Sequence, residues 1–280
     1  MKNVLLLTDF SENSWNAIKY ALSFFADTSC NFYLLHVNRL SYLATGDTPY
    51  VPTQSEIENL YVKPAKKRLK ELLKQISTEL PKNKHHKFFA LTDYNFFIES
   101  VRKYVEEKNF DIIVMGTKGA SGLKEHLVGS NTGDVITKVK CTTLVVPEKA
   151  DYKAIKEIAF PTDFNLAYDI RTLQPISDIL ENKESSLRVL HIRENGEKIN
   201  TEQQQNKEIL EDFFEGFDYS FHFLTNKKIE DAIQCFIESR DLDMMVMVAK
   251  NLNYFQRIFF NSKVEKISYH TNIPFLVLHE

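Results

Sequence analysis

Two polar clusters in the first half of the chain carry residue types suited to holding an anion. Gly116-Thr117-Lys118-Gly119-Ala120-Ser121-Gly122 follows an apolar run that ends at Met115, and Gly129-Ser130-Asn131-Thr132 opens a helical pattern. Glycine at 116 and 119 leaves no Cβ to keep a ligand away from the backbone. Gly129, Ser130 and Asn131 fall at a helix N-terminus, where free N–H groups and the positive end of the dipole favour phosphate. Lys118 adds a point charge. Upstream, Thr8-Asp9-Phe10-Ser11 closes the first apolar run and supplies a carboxylate, Asp9, able to accept from a ribose hydroxyl or an adenine amine. Each group also has a plainer reading. Glycines between a strand and a helix commonly serve as turns, and Asp9 can be a local turn or capping residue.

Other reactive side chains carry less. His36 and His191 occupy matching places at the ends of two apolar runs, which favours a structural role over catalysis. Cys141 precedes an apolar strand and is expected in the core, and His85-His86 reads as a solvated turn. No His, Cys, Asp or Glu spacing suggests a metal centre, and no residue near the glycines makes a convincing general base for attack by water. A P-loop ATPase is disfavoured because GxxxxGK[ST] is absent.

The elements that must position these residues repeat. Leu7-Thr8-Asp9-Phe10 returns as Pro161-Thr162-Asp163-Phe164, and Leu34-Leu35-His36-Val37 as Val189-Leu190-His191-Ile192. Leu91-Thr92-Asp93 returns as Leu224-Thr225-Asn226, Asp111–Met115 as Asp243–Met247, and Leu144-Val145-Val146 as Leu276-Val277-Leu278. The same order in both halves means a duplicated domain, with expected bounds 1–150 and 151–280 and a junction near Pro147–Tyr152. The first half carries an insertion from Arg39 to about Tyr61, with no counterpart in the second; leaving the second strand's end, it is expected as a lid or a plain surface loop.

Five apolar runs in each half read as strands: 3–8, 31–37, 87–91, 111–115 and 142–146, then 155–160, 187–192, 219–224, 244–248 and 275–278. Helical spacing of apolar residues separates most of them, as in Trp15, Ile18, Ala21, Leu22 and Phe25. Strand and helix in alternation predict an α/β fold of doubly wound parallel sheets with helices on both faces. In such sheets ligands bind outside the carboxyl ends of the strands, where the glycine and Asp9 clusters fall.

Composition narrows the classes. The 280 residues are 43% hydrophobic and 26% charged with a net charge of −3, which excludes a disordered chain and a general nucleic-acid binder. The longest apolar stretch, Met244–Ala249, is too short to cross a bilayer, and Val4–Leu7 too short for a signal peptide. Three scattered cysteines suit a reducing compartment, so a cytoplasmic location is expected. Charge divides unevenly: residues 1–150 carry +4 and 151–280 carry −7.

Taken together, these residues resemble the universal stress protein family in a tandem two-domain form. Its nucleotide signature, Gly-x2-Gly-x9-Gly-(Ser/Thr), is met by Gly116, Gly119, Gly129 and Ser130. The aspartate after the first strand matches Asp9 (with Thr8 before it), the valine closing the second strand matches Val37, and Thr132 matches a phosphate-side hydroxyl; Asn131 stands where valine is usual. The resemblance implies two five-stranded sheets ordered 3-2-1-4-5. ATP or ADP would bind at the first and fourth strand ends, with Thr8, Asp9, Val37, Met115, Gly116, Lys118, Gly119, Gly129, Ser130, Asn131 and Thr132 around it and Mg carried on the phosphates. It further implies a pseudo-dimer through the fifth strands, leaves a homodimer open, and points to a regulatory stress-response protein rather than a dedicated enzyme. The second half, with Val248-Ala249-Lys250-Asn251 and Asn261 in place of the glycines, keeps only Asp163 and Ser262 and is expected to have lost its site. The alternatives are a nucleotide-free scaffold, or an adenylating or slow ATP-hydrolysing enzyme.

Overall fold

The inner strands form where β-branched and long apolar side chains are buried on both faces, as sheets covered by helices on both sides require. The computed structural model describes residues 1–39, 53–117, 129–193, 198–226, 228–250 and 272–279. The first half runs β1 (Lys2–Leu7), α1 (Glu12–Phe24), β2 (Cys30–Arg39), α2 (Gln54–Ile57), a π-helical turn (Glu58–Val62), α3 (Lys63–Glu79), β3 (His86–Asn95), α4 (Phe97–Lys108), β4 (Ile112–Gly116), α5 (Ser130–Lys138) and β5 (Thr143–Val146). The second half runs β6 (Glu157–Pro161), α6 (Ile170–Lys183), β7 (Ser186–Arg193), α7 (Thr201–Phe213), β8 (Tyr219–Thr225), α8 (Ile229–Arg240), β9 (Met244–Val248) and β10 (Phe275–Leu278).

The sheet order is β3-β2-β1-β4-β5-β10-β9-β6-β7-β8, so each half has the order 3-2-1-4-5. The two halves are not separate sheets. β5 and β10 pair antiparallel, with Leu144 opposite Leu276, and make one continuous ten-stranded sheet. Each of these four-residue strands would otherwise be an apolar edge, and pairing satisfies the row of backbone groups that an edge exposes. The other strand pairs are parallel.

Alternation of side chains along the strands sorts the core into two layers that each run through both halves. Val4, Leu6, Phe32, Leu34, Phe160 and Leu276 face α1, α3, α6 and α7. Leu5, Leu7, Leu35, Met115, Met245 and Val277 face α4, α5 and α8. Cys141 is buried as expected. His86 is not a solvated turn: it begins β3, its Nε2 lies 3.0 Å from the Phe25 carbonyl, and its ring meets the edge of Phe32. The end of the insertion is also more ordered than a plain loop. A capping box at Thr53 with Glu56 starts α2, and Tyr61 packs its ring 4.7 Å from Tyr94 at the end of β3. Insertion residues 40–52 lie outside the described residues.

Candidate functional site

The β1–α1 connection is short because Ser11 caps α1 directly, its hydroxyl accepting from the Ser14 N–H at 3.2 Å. The turn before it is built from its own side chains. Thr8 Oγ1 accepts from the Phe10 N–H at 3.0 Å, and Asp9 Oδ1 accepts from the N–H and the hydroxyl of Ser11. Phe10 is forced to φ 63°, a left-handed conformation that L side chains rarely adopt. Two planar groups hold it there: the His36 ring at 4.4 Å between centroids, and the Arg68 guanidinium 4.0 Å above the Phe10 ring. His36 Nδ1 donates to the Thr8 carbonyl at 2.8 Å. Burial keeps the imidazole below its usual value, so the ring is neutral near pH 7 and serves the turn. Its structural role matches the sequence reading.

Across from this turn, β4 ends in Gly116. A Cβ built there would lie 2.7 Å from Asn13 Oδ1, so the missing side chain admits the first turn of α1 against the strand end. The chain re-enters at Gly129, whose N–H donates to the Thr117 carbonyl at 2.7 Å. Gly129 is the N-cap of α5 and offers no side-chain cap, so the first N–H groups of that helix lack the usual internal partner. Thr132 is buried and donates to the Gly116 carbonyl at 3.0 Å, pinning α5 to the end of β4. Its hydroxyl is thus turned to the strand.

Between these pieces lies an open cavity of about 560 Å³ at the carboxyl ends of β1, β2 and β4. Its wall contains Thr8, Asp9, Val37, Met115, Gly116, Asn131 and Thr132, seven residues singled out from the sequence. Gly129 and Ser130 stand at the adjoining α5 start, with Ser130 exposed. Lys118 and Gly119 lie outside the described residues. Val37 lines the cavity but does not close β2, which continues to Arg39 in register with β3. The sequence reading missed Arg39. It lines the same cavity and donates through Nη2 to Asn131 Oδ1. Its place as the first residue of the insertion made it look like loop. Among the described residues, no group of three or more His, Cys, Asp or Glu is arranged to hold a metal ion.

The second half repeats the turn without repeating the wall. Thr162 Oγ1 accepts from the Phe164 N–H at 2.9 Å, Phe164 has φ 56°, and His191 stacks on it at 4.8 Å while Nδ1 bonds the Thr162 carbonyl. The strand facing it ends in buried Val248 instead of glycine. The cavity here is smaller, about 250 Å³, and lined by Phe160, Pro161, Leu166, Tyr168, Met247, Val248 and Thr162. Asn251, Asn261 and Ser262 lie outside the described residues.

Comparison with known proteins agrees with this architecture. The model of the universal stress protein family matches residues 1–147. A universal stress protein of Methanocaldococcus jannaschii is 29% identical over 160 residues, covering 53% of this chain and 96% of the relative. A universal stress protein A homologue of Coxiella burnetii is 27% identical over 145 residues, 52% of this chain and 95% of the relative. Among solved structures, a universal stress protein from Archaeoglobus fulgidus superposes over both halves at TM-score 0.72 and 18% identity, covering 98% of this chain and 97% of that one. A functionally unknown protein from Pseudomonas aeruginosa covers 99% of this chain at TM-score 0.62 and 14% identity. At such identities the structures show the shared fold. The family match takes in the whole of the first half, including the Asp9 turn, the end of β4 and the start of α5, and the chain belongs to the universal stress protein family.

Proposed function

We propose that the chain binds one adenine nucleotide, ATP or ADP, in the cavity of the first half and acts as a regulatory stress-response protein rather than a dedicated enzyme. The observation that carries this reading is the cavity itself. It gathers a carboxylate at the β1 turn, apolar Val37 and Met115, and the uncapped start of α5 around a space of about 560 Å³. Asp9 would take the ribose hydroxyls, Val37 and Met115 would face the base, and the N–H groups from Gly129 to Asn131 would take the phosphates. Lys118, Gly119 and Ser130 would complete the phosphate cradle. A magnesium ion would be held chiefly by the phosphates and water, since the described residues offer no carboxylate trio to hold it.

The division of the chain belongs to the same proposal. Residues 1–150 form the nucleotide-binding domain, and residues 151–280 form a degenerate copy that serves as a built-in partner through β10. The charges of +4 and −7 on the two halves favour a polyanion on the first. No helix among the described residues is long and apolar enough to cross a membrane; the near-neutral charge fits the lack of a nucleic-acid partner, and the scattered cysteines fit a cytoplasmic location.

Mass spectrometry of gently purified protein, followed by calorimetry with ATP and ADP, tests the reading. One co-purifying or titrated nucleotide per chain is expected. Gly129→Val should lower the affinity at least tenfold with the fold intact, because a branched side chain would meet the anion at the helix start. Binding of two nucleotides per chain, or of none, would overturn the assignment; none would favour the nucleotide-free scaffold.

A further inference from the structure

Arg39 sits where the cavity changes character. Val37 and Arg39 are two residues apart on β2, so their side chains leave the same face of the strand, and both line the cavity. The longer side chain reaches past the apolar wall to the first turn of α5, where Nη2 donates to Asn131 Oδ1. A guanidinium carries five N–H donors in a planar fork. One of them is engaged with Asn131, and among the described residues no carboxylate forms an ion pair with Arg39. The cavity is therefore polarised. The Asp9 carboxylate stands on the β1 side, and a cation without a carboxylate partner among the described residues stands on the β2–α5 side, beside a helix start without a side-chain cap.

A ligand that satisfies both ends has hydroxyls or amines at one side and negative charge at the other. The amount of negative charge is what the second end can read. Main-chain N–H groups at a helix start offer partial charge that fades within a turn. Arginine adds a full charge and bidentate geometry matched to phosphate oxygens.

We propose that Arg39 is the specificity-determining residue of the site: positioned by Asn131, it makes the affinity rise with the length of the phosphate chain, and so separates ATP and ADP from AMP and adenosine. The inference rests on the nucleotide reading of the cavity. Asn131 is a positioning residue here. It holds the guanidinium at the α5 start in the ligand-free protein and fixes the direction from which phosphate is approached. Without Asn131 the charge remains but is no longer aimed.

Calorimetric titration of the full chain with adenosine, AMP, ADP and ATP tests this, with thermal melting and circular dichroism of each variant as the control for folding. In the unaltered protein, affinity should rise from adenosine to ATP. Arg39→Ala should lose at least tenfold for ATP and less than twofold for adenosine, flattening the series. Arg39→Lys should restore part of the ATP affinity but not the full preference, since an ammonium lacks the planar fork. Asn131→Ala should lose about threefold for ATP with adenosine unchanged. Equal losses for ATP and adenosine in Arg39→Ala would show that Arg39 merely supports the end of β2, and unchanged ATP affinity would remove it from the site; either result overturns the inference. The two readings fail separately. Adenosine and ATP bound with equal affinity by the unaltered protein would overturn the role of Arg39 alone, whereas binding of none of the four would overturn the nucleotide reading with it.

Discussion

The two halves make the same turn after their first strand and then enter the next helix differently. In both, a threonine hydroxyl accepts from the N–H of a left-handed phenylalanine, and a histidine from the neighbouring strand packs on that ring, tilted in the first half and stacked in the second. In the first half, α1 begins at Glu12, and Asn13 fills the space that a side chain at Gly116 would occupy. In the second, α6 begins only at Ile170, the facing strand ends in Val248, and the longer connection sends Tyr168 back to bond Thr162. Thr8 instead meets Ser14 of the helix at 3.0 Å. Loss of one glycine therefore goes with a retreating helix and a wall filled by Leu166, Tyr168 and Val248. The turn is shared scaffolding; the polar cavity beside it goes with the glycine and the early helix start.

The sharpest way to break the comparison is to part the halves. Leu276 and Leu144 are directly opposed across β5 and β10, and both are buried. Leu276→Ala should cost about 2–5 kcal/mol by transfer and cavity terms. Combined with Leu144→Ala, the loss should be non-additive by at least about 0.5 kcal/mol, as for residues in contact. Denaturant unfolding of the single and double variants measures it. Strict additivity would mean that the two leucines contribute independently and do not couple the halves.

Gly116→Val converts the first half toward the second at one position. The new side chain would collide with Asn13, at a cost of about 1–3 kcal/mol for overpacking. Gly116→Val with Asn13→Ala should regain part of that loss, because the colliding atoms are removed. If the double variant is no more stable in urea than the single one, the clash is not what the glycine avoids.

Much of this comparison was legible in the residues. The inner strands could be read because both sheet faces are covered there, so each is a short apolar run flanked by polar residues, and duplication supplied every boundary twice. The start of α5 at Ser130 could be read because Gly129 separates it from a polar loop. What could not be read depends on contacts distant in sequence. Nothing near Gly116 signals that its absent Cβ makes room for Asn13, about a hundred residues earlier. Arg39 looked like the first residue of an insertion, since strand pairing with β3 alone extends β2 that far. The delay of α6 was hidden because the Thr-Asp-Phe motif matches in both halves and the difference begins after it.

The aspartates before β4 and β9 extend the comparison to pH. Asp111 is exposed and accepts from the Asn3 N–H at 2.6 Å. Asp243 is buried; it accepts from the N–H groups of Lys156 and Glu157 at 2.8 and 3.0 Å and pairs with Lys153 at 2.7 Å. Burial alone would raise the Asp243 carboxyl, but the Lys153 ammonium and the two N–H groups hold it below the ordinary carboxylate range. The native state thus binds fewer protons than the unfolded chain. This contribution is fully present above the unfolded value of about 3.9 and is lost as pH falls through the lower folded value. Asp243→Asn should cost about 1–2 kcal/mol at pH 7 and reduce the acid dependence of stability in that window. Asp111→Asn should cost less, and a larger loss there would reverse the assignment of the stronger anchor to the second half.

The smallest effect is expected where the halves end equivalent helices. α4 stops at Asn109 with φ 48°, and α8 at Asp241 with φ 54°, both exposed. Left-handed caps favour glycine, with asparagine the commonest substitute. Asp241 carries a second penalty, because its carboxylate stands at the negative end of the helix dipole. Glycine at either position relieves the backbone but gives the unfolded chain more freedom, which cancels part of the gain. Asp241→Gly should therefore stabilise the protein by about 0.5–1 kcal/mol, while Asn109→Gly should change it by roughly 0.3 kcal/mol or less. Thermal melting at low and high salt separates the two contributions. The dipole part of the Asp241 gain should shrink as salt rises, and the backbone part should remain. Equal gains at both positions, unaffected by salt, would mean that the carboxylate contributes nothing and that backbone conformation alone sets the stability of these two helix ends.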